Sequence, residues 1–411
     1  MAELFQVLTP TEALHRLLEH LPSDPVIEDV PVQEALGRVL ATDSVSSVRL
    51  PVFPRSNMDG YAVRAQDTFG ASDGLPAYLK VAGEVPMGAA SSVTVHSGEA
   101  VRIPTGGMIP EGADAVVMVE HTQVVDPTTV EVYRPVAPGE NVVQVGEDVR
   151  QGERLLSRGH CLRPQDVGGL LGVGILTVSV VRRPRVVIIA TGDEVVPPDV
   201  EPGPGQIRDI NTYVLAALVR EAGATPHPLG IVGDDFRALR EAAERGIALG
   251  DVLIISAGSS VSTRDNTAEI IRVLGNPGVL AHGVALKPGK PTILAACGGK
   301  PVFGLPGNPV STFVTFDLFV RPTLYHLGGT TPPERIRVEA RLTKNVASAF
   351  GREDYIPVRL FEERGEWLAE PVFGKSNLIY TLVKAHGLII VPLNVGGLSA
   401  GQTVEVRRFL R

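Results

Sequence analysis

The sequence predicts a multidomain α/β plus β chain: a central open α/β domain with a β-rich insertion domain, a mixed α/β linker domain and a small C-terminal β-barrel. Three observations predict it. The 411 residues exceed one ordinary core, at roughly 100–200 residues per domain. Between residues 182 and 328, strand-sized apolar runs alternate with helical stretches, the pattern of βαβ units and a largely parallel sheet. On either side, short β-branched runs separated by Gly/Pro turns dominate, in keeping with 44 glycines and 33 prolines.

In chain order, residues 9–21 predict a capped helix, with Thr9 or Thr11 as cap and Pro10 or Glu12 in its first turn. A second short helix at 32–37 ends on Gly37, and 38–48 alternates toward strand. Residues 1–50 and 146–181 are read as one discontinuous mixed linker domain, the second part containing a helix start at Pro164-Gln165-Asp166. The runs at 78–82, 100–103, 115–119 and 130–133 predict an all-β insertion of small-barrel type over 51–145. The domain at 182–328 has predicted strands at 185–191, 225–232, 251–256, 279–286, 292–296 and 301–305. Its helices are placed at 211–222, 235–249, 263–274 and 309–327. A Gly/Thr/Pro linker then opens the second small barrel, 329–411.

Composition narrows the function. A net charge of −8 argues against nucleic acid or an anionic membrane as partner, while leaving room for a local basic pocket. Cys161 and Cys297 form no metal-ligand spacing and no disulfide framework is expected, which fits a reducing cytosol. No signal peptide is visible and no run approaches the ~18 apolar residues of a membrane span, so a cytoplasmic protein is expected. The nine histidines show no HxH or HExxH spacing, and neither a GxSxG elbow nor a Walker A loop occurs.

In an open α/β sheet, ligands bind beyond the carboxyl ends of the strands. Five segments fall there: Thr191-Gly192-Asp193-Glu194, Gly233-Asp234-Asp235, the small-residue loop 256–265, Lys287-Pro288-Gly289-Lys290-Pro291, and the turn 305–311. Glu194, Asp234 and Asp265 are carboxylates on three separate strand ends, and convergent carboxylates repel unless a cation sits among them. Oxygen ligands of this kind suit Mg²⁺ shared with substrate phosphates. Lys287, Lys290, the loop with Ser259 and Ser260, and the turn with Pro306, Gly307, Asn308, Pro309 and Ser311 are anion-holding features. Asn308 or Ser311 can cap the helix after that turn, although a tight turn without a ligand is an equal reading of it in isolation. Asp235 reads as a helix cap, Asp193 as a turn former, and Arg264 as either a solvated charge or a phosphate contact. In the β-rich part, Asp59-Gly60, Thr105-Gly106 and Gly146-Glu147-Asp148 each read as an ordinary turn when taken alone.

Together these motifs carry a resemblance. Asn57-Met58-Asp59-Gly60-Tyr61-Ala62, Ile103-Pro104-Thr105-Gly106, Pro110-Glu111-Gly112-Ala113-Asp114-Ala115-Val116-Val117, Gly146-Glu147-Asp148, Thr191-Gly192-Asp193-Glu194, Lys287-Pro288-Gly289-Lys290-Pro291 and the turn 304–311 occur in that order. The chain thereby resembles, over essentially its whole length, the MoeA/gephyrin E-domain family of molybdopterin molybdenumtransferases. The resemblance implies four domains per subunit, a doubly wound molybdopterin-binding domain among them, and an elongated homodimer. It implies adenylylated molybdopterin and molybdate as substrates, Mg²⁺-dependent release of AMP, and the molybdopterin adenylyltransferase as a candidate partner. Glu194, Asp234, Asp265, Lys287 and Lys290 match functional positions on the α/β side; Asp59, Thr105 and Asp148 match positions facing them from the other subunit. Pro306, Pro309 and Ser311 match the turn at the cofactor pocket, and Ser376 matches a serine looking toward it from the last barrel, where a plain hairpin serine is an equal reading. The chain departs from many members at Val143, where they have arginine, at Gly283, where they have lysine, and in the loop 258–263. These departures motivate the alternatives of a non-catalytic binding or scaffold protein and of a tungstate-using version; adenylyl transfer to molybdopterin is a third.

Overall fold

The computed structural model describes residues 7–257, 261–331 and 335–409, with the backbone alone at 261–265. These residues fall into two compact units: 29–36 with 40–178, and 1–28 and 37–39 with 179–411.

In the unit built on 40–178, period-two alternation builds one sheet from β1 (Gly60–Val63), β2 (Ala77–Glu84), β3 (Glu99–Ile103), β4 (Ala115–Met118), β5 (Thr122–Asp126) and β6 (Thr129–Val132). The order is β4-β1-β3-β2-β6-β5, antiparallel except for β2 against β3. Tyr61 and Val63 pack on one face with Leu79, Val117 and Val130, while Ala62 packs on the other with Val85, Val101 and Val116. Among the described residues no ladder joins the edge strands β4 and β5, so this is an open sheet and not the small barrel that its short strands suggested. Both of its faces bury apolar side chains, which layers on either side achieve without closure. Residues 40–50 run beside 149–160, through Leu40 N–H to His160 O (3.0 Å), Ser46 N–H to Glu153 O (2.9 Å) and Leu50 N–H to Val149 O (2.8 Å), and α2 (Pro164–Gly172) follows.

The other unit holds the α/β sheet. Its strands are β7 (Arg185–Thr191), β8 (Thr225–Val232), β9 (Val252–Ala257), β10 (Pro277–His282), β11 (Ile293–Cys297) and β12 (Lys300–Pro306), in the order β8-β7-β9-β12-β11-β10. β11 alone runs against its neighbours. The central strands are apolar without interruption because both faces are covered. Val186, Ile188 and Ile254 face a cluster with α1 (Pro10–Leu18), α3 (Asn211–Glu221) and the helix after β12. Val187, Ile189, Leu253 and Ile255 face α4 (Phe236–Leu249) and α5 (Val261–Leu274). Each such fully buried side chain contributes about 1.5–3 kcal/mol. α1 is capped by Thr9 with Glu12 reaching back, as its sequence suggested. It packs Ala13 and Leu17 against the α/β core.

Helix 309–327 is continuous but not uniform: α6 (Pro309–Thr315) passes through a π turn (Phe316–Val320) into α7 (Arg321–Leu327). At the π turn Asp317 accepts from Arg321 Nε (2.9 Å) and Arg335 Nη1 (2.5 Å), and Glu221 accepts from Arg321 Nη2 (2.5 Å). Arg335 leads into β13 (Arg337–Leu342), followed by β14 (Glu353–Glu363), β15 (Glu366–Pro371), β16 (Gly387–Val391) and β17 (Thr403–Arg408). Their pairing, β14-β15-β13-β17-β16 and back to β14, closes a five-stranded barrel around Leu342, Val358, Ile389, Val391 and Val406. The two-residue strand Leu286–Lys287 pairs in parallel with Glu353–Asp354 and joins the α/β rim to the barrel. No helix among the described residues is long and apolar enough to cross a membrane.

Candidate active site on the carboxyl rim

The sheet register puts the ends of β7, β8, β9, β10 and β12 on one rim. Because β11 is reversed, its start shares that rim: His282, Ile293 and Gly304 stand abreast. The loop 283–292, with Lys287 and Lys290, therefore also stands at the carboxyl edge.

At the β7 end, Gly192 has φ of +138°, and a Cβ there would lie 2.6 Å from Glu194 Oε2. Only glycine permits this turn, which folds Glu194 back toward the rim. Asp193 Oδ1 accepts the N–H of Asp234 at 3.1 Å and ties the ends of β7 and β8 together. Asp234 Oδ1 is buried and has no hydrogen-bond partner among the described residues. Burial, followed by the charges of Asp193 and Glu194, pushes the Asp234 carboxyl above the usual carboxylate range. Asp235 caps α4 through a 2.7 Å bond from Ala238 N–H, as expected. Asp265 lies on α5, but its side chain is outside the described residues, as are Ser259 and Ser260. Among the described residues no three His, Cys, Asp or Glu side chains form a ready metal cage. Glu194 and Asp234 nevertheless fit a hard divalent cation that keeps water and substrate oxygens in its shell: an orphaned carboxylate oxygen beside like charges is a donor set short of a cation.

Farther along the rim, past β9, the chemistry reverses. A cleft of about 830 Å³ opens between the rim and the barrel. Lys287, Lys290, Arg352 and Lys375 line it, and among the described residues no Asp or Glu does. Asp354, fully buried behind the wall, accepts from Arg352 Nε at 2.8 Å and stands 3.9 Å from Lys287 Nζ. Pro306, Gly307, Asn308 and Ser311 form the opposite wall, and Pro309 is the first residue of α6. Neither Asn308 nor Ser311 caps α6 with its side chain, contrary to expectation. Asn308 Nδ2 instead donates to Ser376 Oγ at 3.0 Å, and the Val310 N–H donates to the Ser376 carbonyl at 3.1 Å. Ser376 thus docks the barrel turn on the start of α6 and lines the cleft.

The other unit holds three of the sequence-derived candidates. Asp59 Oδ1 accepts from Thr105 N–H (2.7 Å) and Thr105 Oγ1 (3.1 Å), which holds the Asp59 carboxyl below its usual range. The pairing of Gly60 with Ile103 brings these two turns together. Asp148 is exposed on a separate turn fixed by its N–H to Leu50 O (3.0 Å). Val143, where an arginine was expected, pairs directly with Arg55, so a cation does stand on that ladder, one strand over. Gly283 has φ of +90°, a conformation in which a lysine would be strained.

Sequence reading missed three residues. Asn211 Nδ2 donates to Gly307 O at 2.7 Å and buttresses the 306–309 turn. Arg352 lies more than 60 positions beyond Lys287 and Lys290, so no local spacing marked it. Lys375 sat inside a turn singled out only for its serine.

Three family models match this chain: the MoeA N-terminal region (domain I and II) over residues 8–174, a probable molybdopterin binding domain over 187–326, and the MoeA C-terminal region (domain IV) over 339–409. It is 36% identical to a molybdopterin molybdenumtransferase of Bacillus subtilis, covering 97% of this chain and 93% of that one. Against a molybdopterin molybdenumtransferase of Haemophilus influenzae the identity is 34%, over 98% and 99%. A crystal structure of a molybdopterin biosynthesis MoeA protein from Pyrococcus horikosii superposes with a TM-score of 0.84 at 38% identity, over 99% of this chain and 100% of that one. The chain belongs to the MoeA family of molybdopterin molybdenumtransferases.

Proposed function

We propose that this chain inserts molybdenum from molybdate into adenylylated molybdopterin, with release of AMP, a late step of molybdenum cofactor biosynthesis. The observation that carries the reading is the presence of two opposite chemistries on one rim: clustered carboxylates, with one buried Asp234 oxygen left without a partner among the described residues, and a cleft lined by cations. The substrate needs both. Its diphosphate linkage and the incoming oxyanion are negative and call for lysine and arginine. Cleavage of the linkage consumes one water and yields AMP and molybdopterin with its phosphate monoester freed, so charge builds on oxygens that must be held and neutralised.

On this reading Lys287, Lys290 and Arg352 hold the anionic groups, and Asp354 keeps two of them oriented from behind. Glu194 and Asp234, with Asp265, would hold Mg²⁺, and the ion would offset phosphate charge. Asp193 fixes the backbone of Asp234, and Asn211 and Ser376 brace the turn at 306–309. Asp59, Thr105 and Asp148 complete the site from a second copy of the chain, in a homodimer.

Following AMP release from adenylylated molybdopterin with Mg²⁺, with and without molybdate, tests the reading. Molybdate-dependent release supports it. An adenylate that stays intact, or release indifferent to molybdate, sinks it. Mixing Asp59→Asn with Asp234→Asn subunits, with exchange verified, restores activity if the site is shared between copies; permanent inactivity of the mixture removes that part.

A further inference from the structure

We propose that Lys375 sets the oxyanion affinity of the cleft, as a barrel-borne cation that completes a binding site for a dianionic tetrahedral group. The inference rests on the reading of the cleft as the anion site. Among the described residues, four cations and no carboxylate line the cleft. Lys287 and Arg352 share the buried Asp354, whereas Lys290 and Lys375 have no ion-pair partner among the described residues. Cations gathered without counter-charge disfavour one another, and an anion between them relieves that repulsion.

The turn geometry makes Lys375 more than a loose surface lysine. The next residue is fixed twice to α6, through Asn308 Nδ2 to Ser376 Oγ and Val310 N–H to Ser376 O, and Lys375 O accepts the N–H of Leu378 at 3.0 Å. Gly374 is pressed so closely on Thr381 that a Cβ would lie 2.3 Å from its Cγ2. The backbone carrying Lys375 is thus held at the cleft while the ammonium stays free to meet a ligand. The same bonds explain why a side chain is needed. The Val310 N–H, in the first turn of α6, is already taken by Ser376, so the helix start offers an anion one donor fewer and side-chain charge must supply the difference.

The dianion is either free molybdate or a phosphate monoester, and titration calorimetry with sodium molybdate and with phenyl phosphate separates them. Lys375→Gln is expected to weaken whichever dianion the wild type binds by about three- to tenfold and to flatten the salt dependence. Lys375→Arg is expected to bind within twofold of wild type. A Gln variant that binds both dianions as wild type does, or an Arg variant as weak as Gln, overturns the role of Lys375. A wild type that binds neither dianion overturns the anion reading of the cleft itself.

Discussion

At the ends of β7 and β8, carboxylates crowd together and one buried oxygen is left without a donor, whereas beyond β10 and β12 four cations share a cleft without an acidic wall residue. The two regions share a rim but are built differently. The acidic corner is local: Asp193 bonds the next strand's backbone and Gly192 folds the turn within a few residues. The basic cleft is assembled from distant segments, with the barrel docked by Leu286–Lys287 on Glu353–Asp354 and by Ser376 on α6. A site made by local turns tolerates loss of a side chain without loss of fold. One made by docking depends on the contacts that hold two modules together.

The largest expected effect separates function from stability at the acidic corner. Asp234→Asn should lower the rate of AMP release by at least ~10²-fold, the scale of losing a preorganised charge at a reacting linkage. Its melting temperature should not fall, because the wild-type carboxylate is buried beside like charges. The pH dependence carries the same sign. A carboxyl raised in the folded state binds its proton more tightly there, so this group's contribution to stability falls as pH rises from the ordinary carboxylate value through the raised one. Urea titrations across that acidic window should show the slope in wild type and its loss in Asp234→Asn. An equal slope in both would mean Asp234 ionises as an ordinary surface group.

The opposite pattern is expected where modules are docked. Asp317→Ala removes a carboxylate shared by buried Arg321 and by Arg335 at the start of the barrel. Breaking a buried pair costs about 3–5 kcal/mol when it orphans a charge. Glu221 keeps hold of Arg321, so a loss of about 2 kcal/mol is expected by denaturant unfolding. Molybdate affinity should fall with it while the acidic corner keeps its backbone. Unchanged stability would show that the barrel is held by its other contacts.

The local half of this contrast was legible in the sequence, and the docked half only in part, through Lys287, Lys290, the turn 306–311 and Ser376. The unbroken apolar run Val186–Ile189 marks a strand buried on both faces, and Gly192, Asp234 and Asp235 follow strands in patterns with a physical meaning. Arg352 and Lys375 carry no such mark, because their place depends on how the barrel closes. Leu286 was read as the end of a strand at 279–286, yet β10 stops at His282 and Leu286–Lys287 pairs with the barrel instead. Asn308 looked like a cap for the same reason: local spacing favoured it, and the competing partner, Ser376, lies 68 positions away.

The smallest effect is the sharpest test of docking. Ser376→Ala removes the Asn308 side-chain bond but leaves the bond from Val310 N–H to the Ser376 backbone carbonyl. One lost neutral hydrogen bond is worth about 1 kcal/mol, which a denaturant midpoint resolves. If that bond also aims Lys375, the two substitutions must couple. Lys375→Gln should then weaken molybdate binding less in the Ser376→Ala background than in wild type, since a misplaced ammonium has less to lose. Strictly additive losses would mean that the backbone bond alone positions the turn, and that Ser376 contributes its hydroxyl to the cleft independently of the lysine beside it.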